Sequence, residues 1–366
     1  MKKIWLTLLG GMLLIFGIQK SMAQSSQRET VTLEFIASRE VQTVGGILPF
    51  TGEQPFFAYF LTWQGETHTA SIRFSTDGRD WGTWIDLPRD EHNEDRGVSI
   101  LQFGLPAFRY YELRWQAPTK EEATLHFFQP GVSTTVADEA TGATDETAGC
   151  ICPQPAFQNR NDWCPSGNCP EHPSPSLTSV THLIVHHAAG TNVANDWAAV
   201  VRAIWDYHVN GNQWSDIGYN WLVDPNGVIY EGRGDNILGA HFCAQNTGTM
   251  GVCVLGDFTN ITPTNEAINA LQSLLAWKSC DIGADPQGSA FHGSSGLTLP
   301  IVSGHRDGCN TACPGCFLSI ISQCQKRRRR LHRHSMRCRG CTISFLTRSC
   351  THTATQPRSR CPSNNF

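Results

Sequence analysis

Leu183-Ile184-Val185-His186 is the stretch from which the fold is read. Three apolar residues in a row, ending on a histidine, have the length and composition of a buried strand. The period then changes. Between Val193 and His208, the residues Val193, Trp197, Val200, Val201, Ile204 and Trp205 fall on one helical face. Strand-like runs follow at 219–224, 228–231 and 250–255, and Asp224-Pro225-Asn226-Gly227 forms a hairpin turn between the first two. Thr264 is placed to cap a second helix with Ile268, Leu271, Leu274 and Leu275 as its apolar stripe. Strands mixed with helices over residues 150–315 predict an α/β domain, a central mixed β-sheet flanked by helices.

Upstream the period is two. Val31, Leu33 and Phe35 alternate with polar neighbours, as do Phe57, Tyr59 and Leu61, then Ile72 and Phe74, Leu113 and Trp115, and Leu125 and Phe127. Asp77-Gly78 is a turn signal between two of these runs. Several short strands over about a hundred residues predict an all-β sandwich over 28–132. Trp63, Trp81, Trp84 and Trp115 are read as core and edge-strand residues, with sugar stacking as the alternative. Residues 133–149 are Thr, Ala, Asp, Glu and Gly with a single bulky apolar residue, Val136. That composition predicts a flexible acidic linker, and hence two parts that fold separately.

The compartment is read from the first residues. Lys2 and Lys3 precede an apolar run from Ile4 to Ile18, and Ser21-Met22-Ala23 is a small-x-small cleavage site. This is a secretory signal peptide over 1–23, so the mature chain is expected to be exported to the periplasm, cell surface or extracellular space. The apolar run is shorter than the ~20 residues that span a bilayer, and no other segment is a candidate. Export allows disulfides among the fifteen cysteines. Cys164 and Cys169 can close a small loop, and a Cys280–Cys309 bridge is the guess that would remove one neighbour of Cys313.

Two histidines and one cysteine stand out for chemistry. His186 ends one apolar run, His305 follows another at Ile301-Val302, and Cys313 lies eight residues further in a Gly/Pro-rich loop. Two imidazoles and a thiolate make a three-ligand zinc set, which leaves a fourth position for water as catalytic sites do. His187 adjoins His186, but consecutive strand residues face opposite ways, so both are not expected at one metal. Spacing alone leaves a chance coincidence open, because fourteen histidines and fifteen cysteines make many such triples.

Motifs in order narrow the reading. They are Leu183-Ile184-Val185-His186-His187-Ala188-Ala189-Gly190, Trp214-Ser215-Asp216-Ile217-Gly218-Tyr219-Asn220 and Tyr230-Glu231-Gly232-Arg233-Gly234. Gly239-Ala240-His241, Gly251-Val252-Cys253-Val254-Leu255-Gly256-Asp257-Phe258, Ser303-Gly304-His305-Arg306-Asp307 and Thr311-Ala312-Cys313-Pro314 follow, with Arg160-Asn161-Asp162-Trp163 as an entry motif. Together they resemble the type 2 N-acetylmuramoyl-L-alanine amidase and peptidoglycan recognition protein family over about 160 residues. The resemblance implies zinc ligands at His186, His305 and Cys313, and catalytic roles for Tyr219 and Thr311. It implies hydrolysis of the amide between N-acetylmuramic acid and L-alanine, with peptidoglycan or muropeptides as partner. Non-catalytic family members typically lack the cysteine ligand, which this chain keeps; a peptidoglycan-binding protein without turnover is the alternative.

Other positions carry weaker expectations. His208, Arg233 and His241 are candidates to contact substrate, with a helix-terminal histidine as the alternative for the first and a structural ion pair for the second. Asp216 and Asn220 are expected to brace the fold.

Charge sets the tail apart. The net charge is −4, but the 51 residues from Cys316 hold 11 of the 28 basic side chains, six cysteines and none of the 32 acidic side chains. The remainder is strongly acidic, which together with export excludes a nucleic-acid binder. The tail reads either as a basic arm for anionic envelope polymers or as an out-of-frame continuation. The abrupt change at one residue and the six cysteines favour the second.

Overall fold

The computed structural model describes residues 25–35, 40–50, 56–64, 69–90, 96–116, 121–133 and 153–315. The expected leader over 1–23, all but the first residue of the 133–149 linker, and the tail over 316–366 lie outside them. None of the described helices is long and apolar enough to cross a membrane.

Between residues 25 and 133 the described elements are strands. One sheet runs β1 (Gln27–Phe35), β9 (Glu121–Gln129), β3 (Phe57–Trp63) and β6 (Gly97–Val98), with β7 (Gln102–Gly104) also on β3. The other runs β2 (Gln42–Ile47), β8 (Tyr110–Trp115), β4 (Ala70–Ser75) and β5 (Ile85–Asp86). The residues picked out by alternation meet in one core between the sheets, where Val31, Leu33, Phe35, Tyr59, Leu61, Ile72, Phe74, Leu113, Trp115, Leu125 and Phe127 pack together. Trp63 joins them, so neither Trp63 nor Trp115 is offered to a sugar. The Asp77-Gly78 turn forms as expected: Asp77 accepts the Arg79 and Asp80 N–H groups, and Gly78 takes φ 74°, which a side chain would disfavour.

The second region follows a short helix, α1 (Arg160–Trp163). Its sheet is ordered β12 (Ile229–Glu231), β11 (Trp221–Val223), β13 (Thr249–Val254), β10 (His182–His187) and β16 (Val302–Gly304). β10 is parallel to both β13 and β16, β11 is parallel to β13, and the hairpin partner β12 is antiparallel. Helix α2 (Trp197–Asp206) runs into a π-helical turn at 207–211. Helix α3 (Asn265–Asp281) starts at Thr264, whose hydroxyl accepts the Ala267 N–H at 3.2 Å. A small hairpin, β14 (Ser289–His292) with β15 (Leu297–Pro300), precedes β16. The mixed sheet with helices is therefore as expected. One boundary differs: Val193 is 81% exposed and lies before the helix, which begins after the N-cap Asp196.

The two regions, expected to fold separately, share an apolar core. All ten residues of α2 are buried. One side packs on the second region through Trp163, Ile217, Leu222, Tyr230, Cys253 and Leu255. The same apolar cluster takes in Phe56, Ala58, Phe60, Val98, Leu101 and Phe128 from the first region. Every residue of β3 is buried for this reason: one side faces its own partner sheet, the other faces α2. Phe60 stacks edge-on against Tyr207 with ring centroids 5.1 Å apart.

Polar groups follow the same seam. Arg202, 2% exposed, donates from Nε to Pro130 O at 2.6 Å and from Nη2 to Gly131 O at 3.1 Å. Asp196 accepts the Ser133 N–H at 2.8 Å and the Ser133 hydroxyl at 2.7 Å while capping Ala199. Arg28 pairs with the buried Asp206. A buried guanidinium is tolerated only with such a set of acceptors.

Arg202→Met keeps the aliphatic stem and leaves the Pro130 and Gly131 carbonyls without their donor. It is expected to lower stability by about 3 kcal/mol, read as a lower urea midpoint of the whole chain. An unchanged midpoint would show that this seam does not hold the structure.

Candidate active site

The site is built at one end of the parallel strands. His186 stands near the C-terminal end of the central strand β10, and His305 directly follows β16, its parallel neighbour. Parallel strands present such residues at the same edge, where open α/β sheets place their ligand sites. The loop after His305 is folded back on itself. Asp307 accepts the Gly304 N–H at 2.8 Å, and the Arg306 N–H donates to Cys313 O at 3.0 Å. That return places Cys313 Sγ 3.7 Å from His186 Nδ1.

Donor atoms of His186, His305 and Cys313 all lie within 4.8 Å of one another, and all three residues are buried. In a tetrahedral zinc site the ligand atoms stand about 3.3–3.6 Å apart, so this set fits with little movement. The thiol argues the same way. Burial pushes Cys313 up to about 12, offset only in part by the His187 N–H, at 3.4 Å, and by Arg306. Such a thiol is not a nucleophile at neutral pH, whereas a cation between the three donors would displace its proton. Among the described residues a second triple, Cys243, His305 and Cys309, is close enough, but Cys243 and Cys309 are joined as a disulfide. Cys309 therefore pairs with Cys243, which corrects the Cys280–Cys309 guess, while Cys164–Cys169 forms as expected. His187 stays outside the triple: its Nδ1 accepts the Phe258 N–H at 3.1 Å, and burial lowers it to about 4, so it is neutral.

His241 packs beside His186. Its Nδ1 lies 3.1 Å from His186 Nε2, and its Nε2 lies 3.4 Å from Thr249 Oγ1. The Thr249 hydroxyl donates to Asn246 O at 2.7 Å, so toward His241 it accepts. His241 then carries its proton on Nε2 and accepts from His186 Nε2–H. This chain leaves the lone pair of His186 Nδ1 toward Cys313. Burial and the neighbouring charges of His305 and Arg233 lower His241 to about 3, keeping it neutral. Gly239 and Gly251 make its slot: a Cβ on either would meet the imidazole at 2.4 and 2.6 Å. His241 thus stands against His186, placed to orient it.

Tyr219 is held by its neighbours. Asn220 donates to Gly234 O and Ile237 O at 2.8 Å each and accepts the Gly251 N–H at 2.9 Å. Asp216 is paired with the buried Arg160 of the entry motif at 3.0 and 2.8 Å. Both brace the loop, as expected. The Tyr219 ring lies 5.3 Å from that of His186, and burial, with the thiol of Cys253, raises its hydroxyl well above the usual tyrosine range. It is therefore a proton-bearing donor.

These residues line a cleft of about 380 Å³, a size suited to a small ligand. His186, His305, Cys313, Tyr219, Thr311, His208 and His241 all border it. His208 accepts the Gly218 N–H on Nδ1 at 3.0 Å, which leaves the proton of the neutral ring on Nε2. Arg233 does not border the cleft. Its guanidinium donates to Ile217 O, Leu238 O and Asp216 O, beside a second cavity of about 250 Å³. The structure thus places Arg233 apart from the other candidate residues, on backbone carbonyls. Sequence reasoning missed the cleft residues Pro88, Arg89, Ile100 and Leu101 from the first region, because no motif or spacing ties them to the histidines.

Known proteins give a matching picture. Residues 176–316 match the family model described as N-acetylmuramoyl-L-alanine amidase. The chain is 34% identical over 143 residues to peptidoglycan-recognition protein SC2 of Drosophila simulans, spanning 38% of this chain and 71% of that protein. It is 32% identical over 188 residues to the N-acetylmuramoyl-L-alanine amidase of Homo sapiens, spanning 49% of this chain and 30% of that one. The solved structure of Drosophila PGRP-LB aligns with 27% identity over 44% of this chain and 89% of its own, at a TM-score of 0.37. On the strength of the sequence match, the chain belongs to the N-acetylmuramoyl-L-alanine amidase and peptidoglycan-recognition protein family.

Proposed function

We propose that the chain is an exported zinc-dependent N-acetylmuramoyl-L-alanine amidase with an N-terminal β-sandwich domain, acting on peptidoglycan or muropeptides. The observation that carries this reading is the convergence of His186, His305 and Cys313 in one cleft with Tyr219 and Thr311. A binding protein without turnover has no need of a third metal donor. The relatives' names include both an amidase and recognition proteins, and the cysteine supports the amidase reading.

When bound there, zinc supplies Lewis acidity, polarising the scissile carbonyl and lowering the pKa of water to about 7. The chain's own groups do the rest. Tyr219, protonated across the working pH range, donates a hydrogen bond to negative charge developing on the carbonyl oxygen. Thr311 accepts the Cys313 N–H at 3.2 Å, which leaves its hydroxyl proton for the substrate side of the cleft. His208 presents Nε2–H, and the wall of Trp214, Ile204 and Leu101 limits water.

Cys313→Ala is expected to lose both zinc, read by metal analysis of the purified protein, and muropeptide cleavage, read by chromatography of the products. Full cleavage by that variant would remove the assignment. Tyr219→Phe is expected to lower kcat about 100-fold with little change in KM, the pattern of an interaction made in the transition state. An equal rise in KM would instead make the tyrosine a binding group. His241→Phe should weaken zinc binding about 10–100-fold, as loss of a partner behind a ligand does. Competition with a chelator reads this directly, and unchanged affinity would exclude the histidine chain as a ligand-orienting device.

A further inference from the structure

The π-helical turn at 207–211 carries α2 into the cleft, and it is held from outside the family-matched segment. Tyr207 O accepts the Asn212 N–H at 2.9 Å, the bond that makes the turn π-helical, and His208 O accepts the Trp214 N–H at 2.9 Å. Such turns are rare and occur mostly at functional sites. Gln213, which follows, takes φ 58°, a left-handed conformation that side chains disfavour. Partners for the turn come from residues well before 176, where the family match begins. Asp90 Oδ2 accepts the Tyr207 hydroxyl at 2.6 Å and Asn212 Nδ2 at 3.5 Å, so one carboxylate reaches both ends of the turn. The Tyr207 hydroxyl also lies 3.1 Å from Ser99 O. Arg28 pairs with Asp206 just before the turn. Phe60 packs so closely on it that a Cβ on Gly211 would meet the ring at 2.9 Å.

The other side of the turn reaches the chemistry. His208 Nδ1 accepts the Gly218 N–H at 3.0 Å, and Gly218 directly precedes Tyr219. The His208 ring lies 5.5 Å from that of Tyr219 and 4.7 Å from that of Trp214. Asp90, Tyr207, His208, Trp214 and Tyr219 all border the cleft. Asp90 is buried and its N–H donates to Val98 O at 2.7 Å, so the carboxylate stands on a braced backbone. Contacts thus pass without a gap from the N-terminal sheets, through the turn, to the loop that carries the tyrosine.

We infer that Asp90, supplied by the N-terminal region, is a positioning residue for this side of the cleft: it holds the turn 207–211 at both ends and, through His208, sets the backbone at Gly218 and Tyr219. The inference rests on the amidase reading for what Tyr219 and His208 do there. A hydrogen bond to a buried carboxylate is stronger than one between neutral groups, which suits it to fixing a turn of rare geometry. A catalytic donor must be held in place before the reaction, because small displacements cost rate rather than affinity. The N-terminal region then completes the catalytic side of the cleft rather than acting as a tether.

The test uses the full chain and three variants: Asp90→Ala, Asp90→Asn and Tyr207→Phe. Two quantities are read: cleavage of N-acetylmuramoyl tripeptide, and hydrogen exchange of the Gly218 amide against that of Leu183 in the central strand. Asp90→Ala and Tyr207→Phe should each lower kcat about tenfold with little change in KM. Both should speed exchange at Gly218 more than at Leu183. Asp90→Asn keeps an oxygen acceptor for the tyrosine and should recover most of both losses. An equal or larger rise at Leu183 would reduce Asp90 to a general stabiliser and overturn the inference. Loss of kcat in Asp90→Ala with none in Tyr207→Phe would overturn it too, since the carboxylate would then act without the turn. Exchange that changes as expected, with no cleavage by the unaltered chain, would instead sink the amidase reading and leave the positioning of the turn standing.

Discussion

The burial of α2 on all sides is the constraint on which the rest depends. A helix at the surface of an α/β domain keeps a polar face toward water. Here Trp197-Ala198-Ala199-Val200-Val201-Arg202-Ala203-Ile204-Trp205-Asp206 has none to keep: its small alanines permit close approach, and its two charges are matched by partners from the N-terminal sheets. Separating the two regions would expose that helix and the outer face of β3 together. The apolar area at stake, Phe56, Phe60, Val98, Leu101 and Phe128 against Trp197, Val201 and Ile204, is of the kind that obligate interfaces bury. A chain with this arrangement carries its cleft at the seam, because the turn that ends α2 leads directly to Tyr207 and His208.

From that seam inward the site follows simple rules. The parallel order β13-β10-β16 puts His186 and His305 at one edge, and backbone hydrogen bonds fold the 305–313 loop over them. Behind His186 the His241–Thr249–Asn246 chain fixes a tautomer, and Gly239 and Gly251 leave the space for it. The result is a set of three donors that converge on one point, with Tyr219 kept in its acid form beside it.

Much of this could be read in the residues. Period-two alternation found the inner faces of both N-terminal sheets, because one buried face leaves that trace in a strand. Two apolar runs that end on histidine and a loop cysteine suggest the metal triple, and the family resemblance rather than the spacing singles it out. The outer face of β3 was missed: Ala58 and Phe60 were passed over as the solvent side, although two apolar residues there signal a second contact. The reading of α2 failed in the same manner. A one-sided stripe was drawn through Val193, which is exposed, while the apolar residues on the remaining faces of the helix went unread. Arg233 and His241 were given roles by residue type, and only coordinates show that carbonyls occupy one and a neighbouring imidazole the other. The Cys243–Cys309 bridge joins residues 66 apart, a pairing that spacing does not contain.

The central claim is that the N-terminal sheets and the amidase-type region form one cooperative unit around α2. Differential scanning calorimetry of the full chain tests it most directly. The account predicts a single transition whose calorimetric enthalpy equals its van't Hoff enthalpy. Two resolved transitions, one for each region, would contradict it.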